Sequence, residues 1–269
     1  MAADTHEVDP EAWDRFDRRQ RLGRYLALLG TMLVFAVSWT FLDMGVGDIE
    51  NTPRELTDLF VRMYPPDVGY TGEIVGPLIE TVHIAVLGTA GALVLAIPVA
   101  LLAAENTTPN RATYWLGKVI VTVSRSVNTI IWALIFVVMF GPGALAGTVA
   151  IAFRSVGFLG KLLGEEIEEI DFGQVEAVRA SGASSLQTML YGILPQVKPA
   201  LVGLSVYRWD INVRDSTVLG FVGAGGIGVQ LFRSVNAFAW QSVAMILLAI
   251  FGIVIVSEAV SASTRRLVR

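Results

Sequence analysis

Glu176-Ala177-Val178-Arg179-Ala180-Ser181-Gly182, followed after a short interval by Ile193-Leu194-Pro195, is a polar, helix-forming island between runs apolar enough to lie in lipid. Its flanks carry their own punctuation. Asp171 with Gln174 is an N-cap signal for a first short helix, and Gly182 can take the left-handed conformation that ends it. Ser184 with Gln187 has the S-x-x-Q spacing of a capping box, which starts a second helix. Leu186, Met189, Leu190 and Ile193 then recur at i, i+3, i+4 and i+7, an apolar ridge on one face. Pro195 is expected to stop that helix, and Pro199 to precede the next apolar run. The expectation over 164–198 is a helix–turn–helix lying on a membrane surface. Two uses fit it: an amphipathic connector resting on headgroups, or a docking helix for a soluble partner.

Outward from the island the chain suits a bilayer. Of 269 residues, 54% are hydrophobic and only 16% charged, against about 25% charged in an average soluble domain; the mean hydropathy is +0.60. The apolar residues fall into runs, so the fold expected is an all-α integral membrane protein. Six spans are read: Tyr25–Leu42, Leu78–Ala104 with Pro98 tolerated inside it, Leu116–Phe140, Ala144–Leu163, Ala200–Val222 and Ala239–Ser261. Each is near the ~20 residues needed to cross the hydrocarbon core. The chain then divides into an N-terminal arm over 1–24, a first span and acidic loop over 25–77, and the remaining spans over 78–269. Within the loop, Pro53–Tyr64 is expected to form a surface helix.

Basic residues orient the spans. Arg15, Arg18, Arg19, Arg21 and Arg24 precede the first span, Arg265, Arg266 and Arg269 follow the last, and Arg111, Arg179 and Lys198 lie in loops on that same side. The other side holds Arg54, Arg62 and Arg233. The positive-inside rule therefore places both termini and the Glu176 island in the cytoplasm, and the 43–77 loop outside. No cleavable signal is expected at the charged N-terminus. Asp9–Arg24 reads either as an amphipathic arm on the membrane or as a solvated lead-in.

The chain has no cysteine, and His6 and His83 are too few and too far apart for a metal site. Thiol chemistry and metal binding are therefore not expected, nor is a nucleic-acid partner. No nucleophile–base pair stands out, and the acidic run Glu165–Asp171 reads as a solvated, partner-facing helix.

Arg208, Asp210, Asn212, Arg214 and Asp215 fall inside the fifth span. A charge at the centre of a membrane helix costs about 2.5–3.5 kcal/mol on insertion scales. Arg208, Asn212 and Asp215 share one face at i, i+4, i+7; Asp210 and Arg214 share nearly the opposite face at i, i+4, acid before base. With two polar faces this helix is expected inside the bundle or at a subunit interface around a pathway. Two roles stay open: structural ion pairs that fix packing, and an anion-handling surface in which Arg208 and Arg214 attract oxyanions. Arg125 is expected at the cytoplasmic interface. Arg154 lies deeper, within reach of a fifth-span acid.

The island resembles the "EAA" loop of ABC-importer permeases, a Glu-Ala pair, a Gly and a Leu-Pro ending, supplied here by Glu176, Ala177, Gly182, Leu194 and Pro195, with Gly192 standing at a position that is apolar in the family. A wider resemblance covers most of the chain. Pro65-Pro66-Asp67, Glu80 to Thr89, Trp132 to Val137 and Gly160-Lys161-Leu162 look like the phosphonate-importer permeases. So do Tyr207-Arg208-x-Asp210-x-Asn212-x-Arg214 and Val218 to Gly228, with Asp210 in place of a Glu and Val127-Asn128-Thr129 in place of an Ile-Pro-Glu-like stretch before Trp132. The resemblance implies a type I ABC-importer permease fold with a cytoplasmic coupling helix in a groove of a separate ABC ATPase subunit. It further implies an external substrate-binding protein, a second copy of the chain, and Asn128 and Trp132 along the pathway. The implied cargo is phosphonate or a related phosphorus oxyanion.

Gly223-Ala224-Gly225-Gly226-Ile227-Gly228 satisfies G-x-G-x-x-G, but it follows a membrane helix rather than a strand, so a dinucleotide site is rejected. A Gly-rich external bend at Gly223, Gly225, Gly226 and Gly228 is expected instead. No G-x-x-x-x-G-K-[ST] occurs, so ATP and its Mg belong on a partner subunit. The alternatives are a permease of the same scaffold for another small solute, and a secondary transporter using the fifth-span charges as an ion relay.

Overall fold

The computed structural model describes residues 18–43 and 45–268. Of the expected arm, residues 1–17 lie outside the described residues; residues 18–24 are the first turns of a helix. The chain divides into two compact units, Met1–Phe60 and Val61–Arg269. The first holds α1 (Arg18–Phe41), which has the length and hydropathy of a membrane span, and most of α2 (Val46–Met63). Helix α2 covers the expected Pro53–Tyr64 segment up to Met63 and starts seven residues earlier, with Pro53 inside it.

The second unit is all helical among the described residues. It runs α3 (Thr71–Ala103), α4 (Arg111–Ser126), α5 (Thr129–Phe140), α6 (Ala144–Glu168), α7 (Phe172–Ala180), α8 (Ser185–Thr188), a π-helical turn Met189–Ile193, α9 (Leu194–Leu219), α10 (Ile227–Asn236) and α11 (Trp240–Val268). Five of the described helical stretches are long and apolar enough to span a membrane. The third expected span, Leu116–Phe140, is instead α4 and α5 bent by 95° at a break. The reason is local: Asn128 turns its side chain back to accept from Ile130 N at 3.1 Å, capping a new helix where the old one ends.

Helices α3 and α6 form the centre, and small residues let them meet. Ala85, Gly88, Ala92 and Ala96 on α3 are buried, as are Gly147, Ala150, Gly157, Gly160 and Gly164 on α6. A side chain on Gly88 would run into Ile151, and one on Gly157 into Ser124 and Val121 O. This small-residue packing substitutes for the hydrophobic drive that lipid removes. Two apolar clusters result. One gathers Ala96, Val99, Leu159, Leu163, Val175, Ile193 and Val197 at the island end. The other gathers Ile84, Ala133, Ile151, Leu219 and Ala224 toward the opposite end. Between them lies a polar layer.

The island departs from expectation in two places. Asp171, Gly182 and Ser184 with Gln187 punctuate it as read: Asp171 accepts from Gly173 N at 2.9 Å, Gly182 has φ +85°, and Ser184 forms a reciprocal capping box with Gln187. Pro195, however, does not stop the second helix. It sits in the first turn of α9, where a missing N–H is tolerated, and helix continues from Ser185 to Val222 as one 38-residue stretch. The π-turn inserts one extra residue and breaks the 3.6-residue phase. The apolar ridge therefore divides: Ile193 is buried and Met189 partly so, while Leu186 and Leu190 are 63% and 41% exposed. Helix α10 was not anticipated at all; it follows the Gly-rich bend as a short helix before α11.

Candidate functional site

The polar layer is built from three helices. Arg208 and Asn212, on α9, are 3% and 0% exposed. Arg208 Nε donates to Ser155 Oγ of α6 at 2.8 Å. Asn212 Nδ2 donates to Thr89 Oγ1 of α3 at 2.8 Å and to Ser155 Oγ at 3.1 Å. Each partner is a small hydroxyl in an otherwise apolar helix, which is how membrane helices hold buried polar groups. The Arg208 guanidinium also lies over the Phe158 ring, 5.1 Å from its centroid.

A second strand of the network reaches α5. Arg208 Nη2 stands 3.9 Å from Asp215 Oδ2, which accepts from Thr129 Oγ1 at 3.0 Å; Thr129 Oγ1 in turn accepts from Arg154 Nη1 at 2.9 Å. Arg154 thus reaches a fifth-span acid, as expected, but through a hydroxyl. On the opposite face of α9, Arg214 pairs with Asp210, whose other oxygen accepts from Ser257 Oγ of α11 at 2.9 Å. Asp210 is buried, whereas the Arg214 side chain is 44% exposed. The i, i+4, i+7 reading of this helix therefore matches its geometry. Thr89, Ser155, Thr129 and Ser257 were missed, because one hydroxyl in an apolar run carries no signal until its partner is known.

Asn128 and Trp132 flank the break between α4 and α5. Asn128 is exposed; Trp132 packs on Phe153, with ring centroids 4.5 Å apart, and donates to Ser124 O at 3.3 Å. The Gly-rich stretch closes the other end of α9. Gly225 has φ +84° and lies so close to Glu80 and Ala144 that a Cβ would meet both within 3 Å. Gly220 and Gly228 touch backbone to backbone, and Gly143 N donates to Gly223 O at 2.9 Å. Gly226 precedes α10, whose first amide, Ile227 N, donates to Thr81 Oγ1 at 2.8 Å.

On the island, Glu176, Ala177 and Gly182 are exposed, and no ion-pair partner of Glu176 is found among the described residues. Leu194 is half-buried and Pro195 exposed at the start of α9. Gly192 is buried against Val175, whose Cα would stand 3.4 Å from an added Cβ. An added methyl would stand at ordinary van der Waals distance from Val175. Gln196, unforeseen, ties the island together: its side chain accepts from Asp171 N at 3.0 Å and donates to Gly192 O at 2.7 Å.

Residues 96–269 match the family described as binding-protein-dependent transport system inner membrane component. The chain belongs to that family. It is 37% identical over 247 residues to the phosphite transport system permease protein PtxC of Stutzerimonas stutzeri, covering 92% of this chain and 89% of that protein. It is 39% identical over 256 residues to the phosphate-import permease protein PhnE of Mycolicibacterium smegmatis, covering 91% of this chain and 46% of that longer protein. Among solved structures, the MetNI methionine ABC transporter in inward-facing conformations superposes with a TM-score of 0.65 at 23% identity, over 76% of this chain and 99% of that one. The fold is that of a type I ABC-importer permease. This inner-membrane component is a transport subunit rather than an enzyme, with ATP hydrolysis on a separate subunit. The secondary-transporter alternative falls with the family assignment.

Proposed function

We propose that this permease component carries a phosphorus oxyanion, phosphite or a phosphonate, into the cell. The observation that carries the reading is the layer of arginine–aspartate pairs on α9, with Arg154 of α6 beside it, in a chain whose relatives are named for phosphite and phosphate import. Arg208, Arg214 and Arg154 supply N–H groups at membrane depth, where a doubly charged oxyanion otherwise finds no partner. Asn128 and Trp132, at the break beside this layer, border the path. The Gly-rich bend at Gly223, Gly225, Gly226 and Gly228 closes its outer end, where a substrate-binding protein delivers the solute.

The unit works as a homodimer. Tyr207, Arg214 and Val218 on α9, with Phe221 in the turn just after it, make an exposed stripe, and a stripe holding a charge is disfavoured against lipid. A second copy across a water-filled path satisfies it. Both termini lie in the cytoplasm, by the distribution of Arg and Lys. Glu176, Ala177, Gly182, Leu194 and Pro195 then form the coupling element that meets the ATPase, which holds ATP and Mg.

The test is ATP-driven uptake in vesicles containing the permease, its ATPase and its binding protein, with labelled phosphite, methylphosphonate, phosphate and methionine offered separately. Accumulation of at least one phosphorus oxyanion, with methionine excluded, is expected; accumulation of methionine alone sinks the reading. The pair on α9 yields a second expectation. Arg214→Ala leaves the buried Asp210 carboxylate short of its cation; because the Arg214 side chain is itself 44% exposed, the loss is below the ~3–5 kcal/mol of a fully buried pair. Its melting temperature in detergent should fall, and Arg214→Ala with Asp210→Asn should recover most of it. Uptake should stay low in the double variant; full recovery of uptake would make the pair purely structural.

A further inference from the structure

A groove between α4 and α6, apart from the layer on α9, is lined by Lys118, Val121, Thr122, Arg125, Ser126 and Lys161. Lys118, Thr122 and Arg125 stand at i, i+4, i+7 on one face of α4. Lys161 comes from α6. Three cations therefore share a cleft among six lining residues, with no acid on its walls. Both lysine ammoniums already have a carboxylate beside them: Lys118 Nζ is 3.9 Å from Glu168 and 5.0 Å from the Tyr114 ring centroid, and Lys161 Nζ is 3.3 Å from Glu165. Among the described residues no carboxylate lies within ion-pair distance of Arg125.

Depth makes Arg125 informative. Its neighbour Ser124 donates to Phe153 O at 2.7 Å, which sets this end of α4 against the middle of α6. Lys118, by its contact with Glu168, lies at the end of α6. The groove thus runs from the middle of α6, a helix long and apolar enough to span a membrane, to its island end. An arginine at that depth without an acid is costly against lipid, and marks a water-filled or ligand-holding place. Thr122 Oγ1 already donates to Lys118 O at 2.7 Å and Ser126 Oγ to Val123 O at 2.8 Å. The hydrogens left for the groove are therefore those of the Arg125 guanidinium and the ammonium hydrogens that Lys118 and Lys161 do not turn to Glu168 and Glu165, which suit an anion with several acceptor oxygens. The groove also continues the α9 layer: Arg154, Phe158 and Lys161 recur at i, i+4, i+7 on α6, and Phe158 carries the Arg208 guanidinium 5.1 Å from its ring centroid.

We propose that the Lys118–Arg125–Lys161 groove is an inner oxyanion site, holding the phosphorus oxyanion in its last step toward the cytoplasm. It rests on the reading above that the cargo is such an anion. Several weak stations in series let an ion move on where one tight site would hold it, and Glu165 and Glu168 at the outlet weaken the last of them. The phosphodiester of an anionic lipid has the same chemistry and is the rival occupant.

The complete complex is reconstituted in phosphatidylcholine vesicles, with and without phosphatidylglycerol, and phosphite uptake is compared for wild type, Arg125→Gln, Arg125→Lys and Lys161→Gln. Loss of one charge-assisted contact predicts uptake about tenfold slower in each glutamine variant, with Arg125→Lys largely restored and half-saturation by loaded binding protein unchanged. Phosphorus NMR of phosphite with the permease in phosphatidylcholine should show broadening that Arg125→Gln removes. Full-rate uptake by both glutamine variants overturns the groove while leaving the cargo reading intact; no oxyanion uptake by wild type overturns the cargo reading itself. A phosphatidylglycerol requirement without phosphite broadening hands the groove to lipid and overturns the release role. If Arg125→Gln fails to assemble, Lys161→Gln, at a half-exposed position, decides.

Discussion

Gly220→Ala is expected to abolish recovery of folded permease. An added Cβ at Gly220 would lie on the backbone of Gly228 and Val229, with Gly228 Cα at 2.6 Å. Backbone cannot rotate aside as a side chain does. The end of α9 must therefore separate from the start of α10, taking with it the bonds from Ala224 N to Leu219 O and from Ile227 N to Thr81 Oγ1. The expected cost is at or above the ~3 kcal/mol upper end of ordinary overpacking, a large share of the roughly 5–15 kcal/mol that holds a domain folded. Gly30→Ala, at a position with nothing within 4 Å of the added atom, is the control and should be recovered like wild type. Size-exclusion profiles of detergent extracts read both. A monodisperse Gly220→Ala peak at wild-type level would refute the backbone contact.

Glu176→Lys is expected to do the reverse: normal recovery, transport lost. Nothing in the fold depends on this side chain, which is exposed on α7 and has no ion-pair partner among the described residues. A surface change of that kind usually shifts stability by no more than about 0.5 kcal/mol. Reversing a charge that docks on a partner costs about 2–5 kcal/mol in binding, or roughly 30- to several-thousand-fold in affinity. ATPase retention on immobilised permease and ATP-driven uptake should both collapse. Wild-type uptake with Glu176→Lys would remove the island from the coupling role.

What was legible in the sequence was whatever acts over short range. Asp171, Gly182 and Ser184 with Gln187 act within three or four residues, and the structure places them as read. Membrane runs were legible because lipid imposes length. The break at Val127-Asn128 was not, because Leu116–Phe140 keeps its hydropathy through it; the polar run Ser124-Arg125-Ser126 before an N-capping Asn was the available signal. Helix α10 hid behind the glycines that make its approach possible. Pairings such as Asn212 with Thr89, 123 residues apart, were out of reach, since the hydroxyl partner looks like any threonine in an apolar helix. The charged residues of α9 were found because charge in a membrane is conspicuous, whereas the contact of Ser124 with Phe153 O, which sets Arg125 beside the middle of α6, gave no local sign.

The π-turn at Met189–Ile193 has a mechanical meaning. It joins the island to the charge layer in one column, since helix runs unbroken from Ser185 past Arg208, a distance of about 35 Å at 1.5 Å per residue. That column contains one residue more than an α-helix of the same length would use. It is a screw with a spare thread. Taking up that residue would advance everything beyond it by about 1.5 Å and turn it by about 100°, so a push delivered at the island end can emerge at Arg208 and Arg214 as a twist.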